Sequence, residues 1–127
     1  MTAIDILNQT LQNDPDVIFA VLIGSRATNT NHGESDWDIA IQWNRKLDFF
    51  TKLARIETLR HTLSERLHST IDKIDLIDIV SARLAMRAEI AEHGILLAGD
   101  NTLAWSHFLV RTWRDLEEFY WDQNYAL

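Results

Sequence analysis

Residues 16–43 read DVIFAVLIGSRATNTNHGESDWDIAIQW, and they decide the fold because they contain two strands separated by a polar loop. Residues 16–23 form a nearly continuous apolar run of strand length, which is typical of a buried central strand. The loop 24–34 is rich in Thr, Asn and Gly, and residues 36–43 are predicted to form a second strand. Two successive strands without an intervening helix argue against a Rossmann sheet, and the glycine after the first strand begins no GxGxxG motif.

Helices are predicted on both sides of this pair of strands. Residues 2–12 carry apolar side chains at helical spacing, and Thr2 is a suitable N-cap. A long amphipathic helix is predicted over about residues 49–68, with an apolar face made by Phe49, Leu53, Ile56, Leu63 and Leu67. The last helix is predicted over about residues 102–121, with a core face made by Trp105, Phe108, Leu109, Trp113, Leu116 and Tyr120.

The remaining segments complete a mixed arrangement of strands and helices. Residues 73–80 are predicted to form a third strand, Ser81 to cap a helix that reaches His93, and residues 95–98 to form a short strand. The order α-β-β-α-β-α-(β)-α indicates an α/β or α+β fold, with a small mixed sheet flanked by helices. We expect residues 1–127 to form a single domain, since this length is near the commonest domain size.

The composition is that of a soluble globular protein, and it limits the classes of function. A net charge of −7 argues against direct binding of a nucleic-acid backbone, which usually requires a basic face. A nucleotide is not excluded, because a divalent cation neutralises both carboxylates and a triphosphate. The chain has no cysteine, so disulfides and thiolate metal sites are excluded. No membrane span or basic signal region is visible, and we expect a cytoplasmic protein.

The second strand begins with an Asp-x-Asp motif that places two carboxylates on one face. Because side chains alternate along a strand, Asp36 and Asp38 point to the same side, with their backbones about 6.5–7 Å apart. Magnesium is commonly held by one or two carboxylates together with substrate phosphates. At the start of the loop, Gly24 permits close backbone approach, and Ser25 offers an amide and a hydroxyl to a phosphate oxygen. These residues predict a site for a metal-bound phosphate.

A third carboxylate is expected from the third strand, which contributes Asp75 and Asp78, with Asp72 just before it. Asp75 is embedded in an apolar run, where an unpaired charge is costly, so a metal and a reacting hydroxyl would account for it. Asp78 interrupts the same run but lies three residues further along the strand, which reverses its facing. Only one of the two is therefore expected to face the site.

Gly-Ser, ten residues, Asp-x-Asp and a later strand Asp together resemble the motif of the DNA polymerase β-type nucleotidyltransferase superfamily. The compact chain is similar to the minimal nucleotidyltransferases (MNT) that act as antitoxins beside HEPN-type toxins. The resemblance covers about residues 16–80. It implies that Gly24 and Ser25 bind the triphosphate of ATP, and that Asp36 and Asp38 hold Mg²⁺, with two ions expected. It places the third carboxylate and metal ligand at Asp75.

One feature of the loop departs from this motif. Many relatives continue GSRARG, whereas this chain reads GSRATNTN, so the functions of the second Arg and the following Gly are lost or are performed by other residues. Arg26 is the candidate to take over part of the nucleotide binding.

The resemblance also implies a reaction and a partner. The expected reaction is transfer of AMP from ATP to a tyrosine hydroxyl of a cognate HEPN RNase toxin, which is silenced by the modification. Two alternatives stay open. The same chemistry has other acceptors, such as an aminoglycoside or a tRNA end, and a non-catalytic antitoxin would act by binding alone.

The C-terminal segment 119–127, FYWDQNYAL, contains more aromatic residues than one helix face needs. Trp and Tyr are enriched among interface hot spots. The residues Phe119, Tyr120, Trp121 and Tyr125 therefore predict a docking surface for the protein partner, or else a tail that seals the edge of its own domain.

Overall fold

A four-stranded mixed sheet forms the centre of the molecule in the computed structural model, which describes residues 1–125, with side chains to residue 124. The strands are β1 (Val17–Ile23), β2 (Trp37–Trp43), β3 (Ile74–Asp78) and β4 (Ile95–Ala98), in the spatial order β3-β2-β1-β4. β1 runs antiparallel to β2 and β4, while β2 and β3 are parallel. The last five residues of β1 are buried, which confirms the prediction of a central strand.

Four helices flank this sheet: α1 (Ala3–Gln12), α2 (Phe49–Arg66), α3 (Leu84–His93) and α4 (Leu103–Tyr125). Thr2 begins α1 with a capping box, because its hydroxyl accepts from the Asp5 amide while the Asp5 carboxylate accepts from the Thr2 amide. The predicted α/β fold with a small mixed sheet is confirmed. None of the described helices has the length and apolar character needed to cross a membrane.

The two faces of the sheet carry separate hydrophobic cores because successive side chains of a strand point to opposite sides. On one face, Leu7 and Leu11 of α1 and Leu63 of α2 pack against Ile39 and Ile41 of β2. On the other face, residues of α3 and α4 pack against β1 in a cluster that includes Phe19, Val21, Ile90 and Phe108. Asp38 has the same facing as Ala40, which belongs to this second cluster. The acidic motif therefore lies at one end of the α3/α4 face.

The start of α3 differs from the prediction that Ser81 caps it. A 3₁₀ turn, Ile79–Ser81, follows β3 directly, and α3 begins only at Leu84, with Arg83 in the N-cap position. The side chain of Asp78 accepts a hydrogen bond from the Val80 amide and so initiates this earlier turn. A local side-chain contact that periodicity does not reveal therefore delays the helix.

Two predicted core faces are wrong in part. On α2, Phe49 and Leu53 are exposed, and the buried positions are Leu59, Leu63 and Ser64. On α4, Trp113 is 42% and Tyr120 58% exposed, although both continue the apolar spacing of Phe108. Helical spacing predicts which residues share a face, but not how far the underlying sheet extends beneath that face.

Candidate active site

Strand pairing brings three positions of the predicted site together at one end of the sheet. Asp38 lies opposite Ile23 of β1 and, on its other side, opposite Asp75 of the parallel neighbour β3. Gly24 follows Ile23 directly, so it lies beside Asp38 as well. Paired residues on adjacent strands point to the same face of a sheet. The carboxylates of Asp38 and Asp75 therefore face the same space beside the start of the loop.

Gly24 adopts a conformation and a packing that only glycine fits. Its φ is +77°, in the left-handed region that favours glycine. A Cβ atom built on Gly24 would lie 2.5 Å from Oδ2 of Asp38, closer than non-bonded atoms approach. The absent side chain is what allows the Asp38 carboxylate to lie against the backbone at the end of β1.

The environment of Asp38 disfavours its ionised form. Burial raises the pKa of Asp38, and the neighbouring charges of Asp75 and Asp36 raise it further. Asp36 and Asp75 themselves are exposed. Although Asp75 lies in an apolar run of sequence, its side chain is open to solvent because β3 is an edge strand.

Asp78 lies on the opposite face of β3 and is engaged in other contacts. Its Oδ2 forms a 2.7 Å ion pair with Nζ of Lys52 from α2, and its Oδ1 accepts from the Val80 amide at 3.2 Å. Of the two third-strand candidates, only Asp75 faces Asp38. The role of Asp75 as third carboxylate stays a prediction.

The segment after Gly24 is a compact turn that leaves backbone donors available. The amides of Ala27 and Thr28 donate to the Gly24 carbonyl, and the amide of Thr30 donates to the Ser25 carbonyl. Within residues 1–125, the amides of Ser25 and Arg26 have no such partner in the turn. Successive unpaired amides at a turn form a concavity that accepts anions. The phosphate site predicted at Gly24 and Ser25 therefore has backbone donors available, and phosphate binding there stays a prediction.

Asn29 occupies the position at which many relatives have glycine in GSRARG. Its φ is +60°, in the left-handed region that Asn adopts more readily than most other residues with a side chain. Asn29 therefore adopts at this position a backbone conformation that glycine favours. Sequence reasoning missed this residue, although an Asn in a polar loop is a recognised signal for the conformation.

Arg26 does not point freely into the site. Its Nε and Nη2 donate to the Ser35 carbonyl at 3.2 and 2.9 Å, and its guanidinium lies 3.9 Å from the centre of the Trp37 ring. Lys73, which directly precedes β3, holds the same segment by donating to the Glu34 carbonyl at 3.0 Å. The two cations fix the backbone just before Asp36. Nucleotide binding by Arg26 stays a prediction, and the contact of Lys73 was not anticipated from the sequence.

The donor set at this end of the sheet fits a magnesium ion by its chemistry. Asp36, Asp38 and Asp75 supply oxygen ligands, which Mg²⁺ prefers, and their mutual repulsion at Asp38 is the kind that a cation relieves. No three acidic or imidazole groups in the described part of the chain are already arranged as a complete metal site. Substrate phosphates usually supply the remaining ligands of such an ion.

Comparison with known proteins identifies relatives of the chain. Residues 6–102 match the protein family described as polymerase beta, nucleotidyltransferase. That match spans β1, the acidic motif, β3 and β4. No protein of curated function matches at a significant level.

Several solved structures share the fold over nearly the whole chain. A chain from a crystal structure of a toxin–antitoxin complex with AMP-PNP has 25% identity and a TM-score of 0.69, over 99% of this chain and 94% of that one. A chain from the MntA–HepT toxin–antitoxin complex has 25% identity and a TM-score of 0.64, over 98% and 92%. A complex of tri-AMPylated Shewanella oneidensis HEPN toxin with MNT antitoxin has 22% identity and a TM-score of 0.63, over 98% and 91%, which is a likeness of fold.

Proposed function

The chain belongs to the polymerase β-type nucleotidyltransferase family, and on that premise we propose that it is an antitoxin that transfers AMP from ATP to a tyrosine hydroxyl of a cognate HEPN-type toxin. The likeness to chains of toxin–antitoxin complexes at 25% identity supports this partner, and AMP-PNP in one of them supports ATP as the substrate.

The observation that carries the proposal is the pairing of Asp38 with Asp75 beside Gly24. Ionised Asp38 raises the free energy of the folded protein at neutral pH, since burial and the neighbouring charges of Asp75 and Asp36 raise the pKa of Asp38. Gly24 is required at its place for that arrangement to exist. A protein that only binds its toxin has no need of this arrangement, whereas a nucleotidyltransferase uses such carboxylates as metal ligands.

In the proposed site, Asp36, Asp38 and Asp75 hold Mg²⁺. When bound, the ions neutralise the triphosphate and stabilise charge on the attacking and leaving oxygens. The amides of Ser25 and Arg26, with the Ser25 hydroxyl, bind phosphate oxygens at the start of the turn. Arg26 and Lys73 keep the backbone before Asp36 in position for its carboxylate to reach the same space.

The transfer forms one bond and breaks one bond. The tyrosine oxygen attacks the α-phosphorus of ATP, the bond from that phosphorus to the bridging oxygen breaks, and diphosphate leaves. Asp75 is exposed and faces Asp38, so it is the carboxylate that orients the acceptor hydroxyl and takes its proton. The products are an AMP-tyrosine phosphodiester on the toxin and diphosphate.

The test is the double variant Asp36→Asn with Asp38→Asn, incubated with the cognate toxin and α-labelled ATP. We expect label transfer to be abolished while the circular dichroism spectrum is unchanged, because the variant removes metal ligands and also acid repulsion. The matched control is Glu65→Gln with Asp100→Asn, which changes the net charge equally at two exposed acids outside the site and should leave transfer intact.

Full labelling of the toxin by the Asp36/Asp38 variant would refute the enzymatic proposal. If instead neither the wild type nor any variant labels the toxin, yet the wild type still neutralises it, the protein is an antitoxin that acts by binding alone.

A further inference from the structure

A second candidate binding site lies at the end of the sheet opposite the acidic residues. A cavity of about 590 Å³ opens between the beginning of β1, the residues after β2 and the first turns of α4. Phe19 and Phe108, both buried, form its apolar floor. Ile18 also lines it and precedes Ile23 by five residues, which is about 17 Å along the strand. The cavity is therefore separate from the site beside Gly24.

The rim of this cavity concentrates positive charge in an acidic protein. The cations Arg45, Lys46 and Arg111 line it, and none of its described lining residues is acidic. Several cations outside the cavity are paired with acids, such as Lys52 with Asp78 and Arg87 with Asp115. Within residues 1–125, Arg45, Lys46 and Arg111 form no ion pair. Cations that converge without a counter-charge favour an anionic ligand.

The floor and the wall of the cavity each place a further requirement on a ligand. Trp105 stacks on Phe108 with ring centres 5.6 Å apart and meets Phe19 edge-on at 5.2 Å, so the apolar floor is a packed aromatic cluster. Gln42 in the wall is 6% exposed, and its amide nitrogen donates to the Trp43 carbonyl at 3.0 Å, which leaves its amide oxygen as an acceptor. A fitting ligand combines an apolar planar body, a hydrogen-bond donor and anionic groups.

We propose that this cavity binds a nucleoside phosphate, either as a free nucleotide or as the 5′-terminal nucleotide of an RNA. The volume lies within the range of about 300–1,000 Å³ typical of small-molecule sites. The base packs against the apolar lining made by Ile18, Ala104 and Phe108, with an amino group toward Gln42. The phosphate meets Arg45 and Arg111, whose planar guanidinium groups suit phosphate geometry. A single nucleotide is compatible with a net charge of −7, which disfavours only extended backbone binding. The site is independent of the proposed AMP transfer.

Calorimetric titration with AMP and with a 5′-phosphorylated oligoadenylate, both in EDTA, tests the proposal. EDTA keeps divalent cations from recruiting nucleotide to the acidic site. The double variant Arg45→Glu with Arg111→Glu should weaken binding at least about tenfold, because charge-assisted hydrogen bonds are lost. Ala104→Leu, which fills the cavity without changing charge, should also weaken it. Circular dichroism verifies that each variant is folded.

The matched control is Arg83→Glu with Arg114→Glu, an equal charge change at two exposed arginines that also form no ion pair in the described chain and lie outside the cavity. It should bind AMP as the wild type does. If the oligoadenylate binds more tightly than AMP and the Arg45/Arg111 double variant weakens both, the ligand is the 5′ end of an RNA rather than a free nucleotide. The proposal is overturned if both double variants weaken binding equally, if neither probe binds, or if an acidic peptide displaces AMP at comparable concentration.

Discussion

Asp38 is the residue of the site on which backbone packing, sheet pairing and electrostatics all act. Its carboxylate lies against Gly24, its strand neighbour is Asp75, and its pKa is raised by burial and by two acids. The burial and the two neighbouring acids cost folding free energy when Asp38 is ionised. Functional sites commonly retain such instability because activity depends on it.

The pH dependence of stability should report the raised pKa of Asp38. Because this pKa lies above its ordinary value of 3.8, the folded state holds the proton more tightly than the unfolded state. The resulting stabilisation is present below pH 3.8 and is lost as the pH rises through the folded-state pKa. Over that range we expect the wild type to lose stability relative to Asp38→Asn in urea unfolding curves recorded in EDTA. If the stability of the wild type and of Asp38→Asn changed with pH in the same way, the described environment of Asp38 would be contradicted.

Asp75 and Asp78 should differ in what their loss affects. Asp75→Ala should reduce the rate of AMP transfer by about 10²-fold or more, as expected for a positioned base, with little change in stability. Asp78→Ala should have a much milder effect on the rate. It should lower stability by about 1 kcal/mol, because it removes the part-buried ion pair with Lys52 and a turn contact. Steady-state kinetics and urea unfolding measure both, and the reverse ranking of rates would contradict the assigned strand faces.

Among the secondary-structure elements, α4 is the one that extends beyond the core. Its residues 117–124 are all exposed, and Phe119, Tyr120 and Trp121 are 47%, 58% and 62% exposed. An isolated helical extension is marginally stable in water. The same stretch carries Glu117, Glu118 and Asp122 and has no lysine or arginine. We therefore expect the toxin to cover it with an apolar groove bordered by basic residues.

Deletion of residues 117–127 tests this expectation. The shortened protein should keep its unfolding temperature and its affinity for AMP-PNP with Mg²⁺, while its affinity for the toxin falls at least about tenfold, as for loss of interface hot spots. Phe50→Ser, at a phenylalanine of α2 that is 80% exposed, is the control and should leave toxin affinity unchanged. The side chain of Tyr125 and residues 126–127 lie outside the described part of the chain. A shortened protein that unfolds would show that the segment stabilises its own domain.

The whole molecule is organised around a sheet that both cores share. The α1/α2 core and the α3/α4 core contact opposite faces of the same strands, β1 and β2. Neither core is complete without these strands, so loss of either one should expose the other. This arrangement also places the acidic site and the basic cavity at opposite ends of β1, about 17 Å apart.

Thermal unfolding of residues 1–127 should therefore be a single cooperative transition. We expect the calorimetric and van't Hoff enthalpies to agree, as they do for most single domains below about 150 residues. Near-ultraviolet circular dichroism, which reports aromatic packing, should change at the same temperature as the far-ultraviolet signal. Two separated transitions would contradict the expectation of one domain.

Local pattern was sufficient for the existence and order of most elements. The apolar run of β1, the capping residue Thr2 and the spacing of Ile56 and Leu63 on α2 depend on neighbours in sequence. The structure has them as a strand, a cap and a face packed against the core. The end of α4 was predicted four residues too early, at residue 121 instead of 125. Trp113 and Tyr120 were assigned to a core that does not extend below them.

By itself the sequence determined the residue types and spacings of the site: Gly24-Ser25, the alternation that gives Asp36 and Asp38 one facing, and a later strand carrying both Asp75 and Asp78. Only the tertiary structure decided which strand lies beside which. The parallel pairing of β2 with β3 sets Asp75 opposite Asp38, while α2 packs on the other face and supplies Lys52 to Asp78. The physical reason is that alternation is a property of one chain segment, whereas register, edge position and charge partners arise between segments distant in sequence.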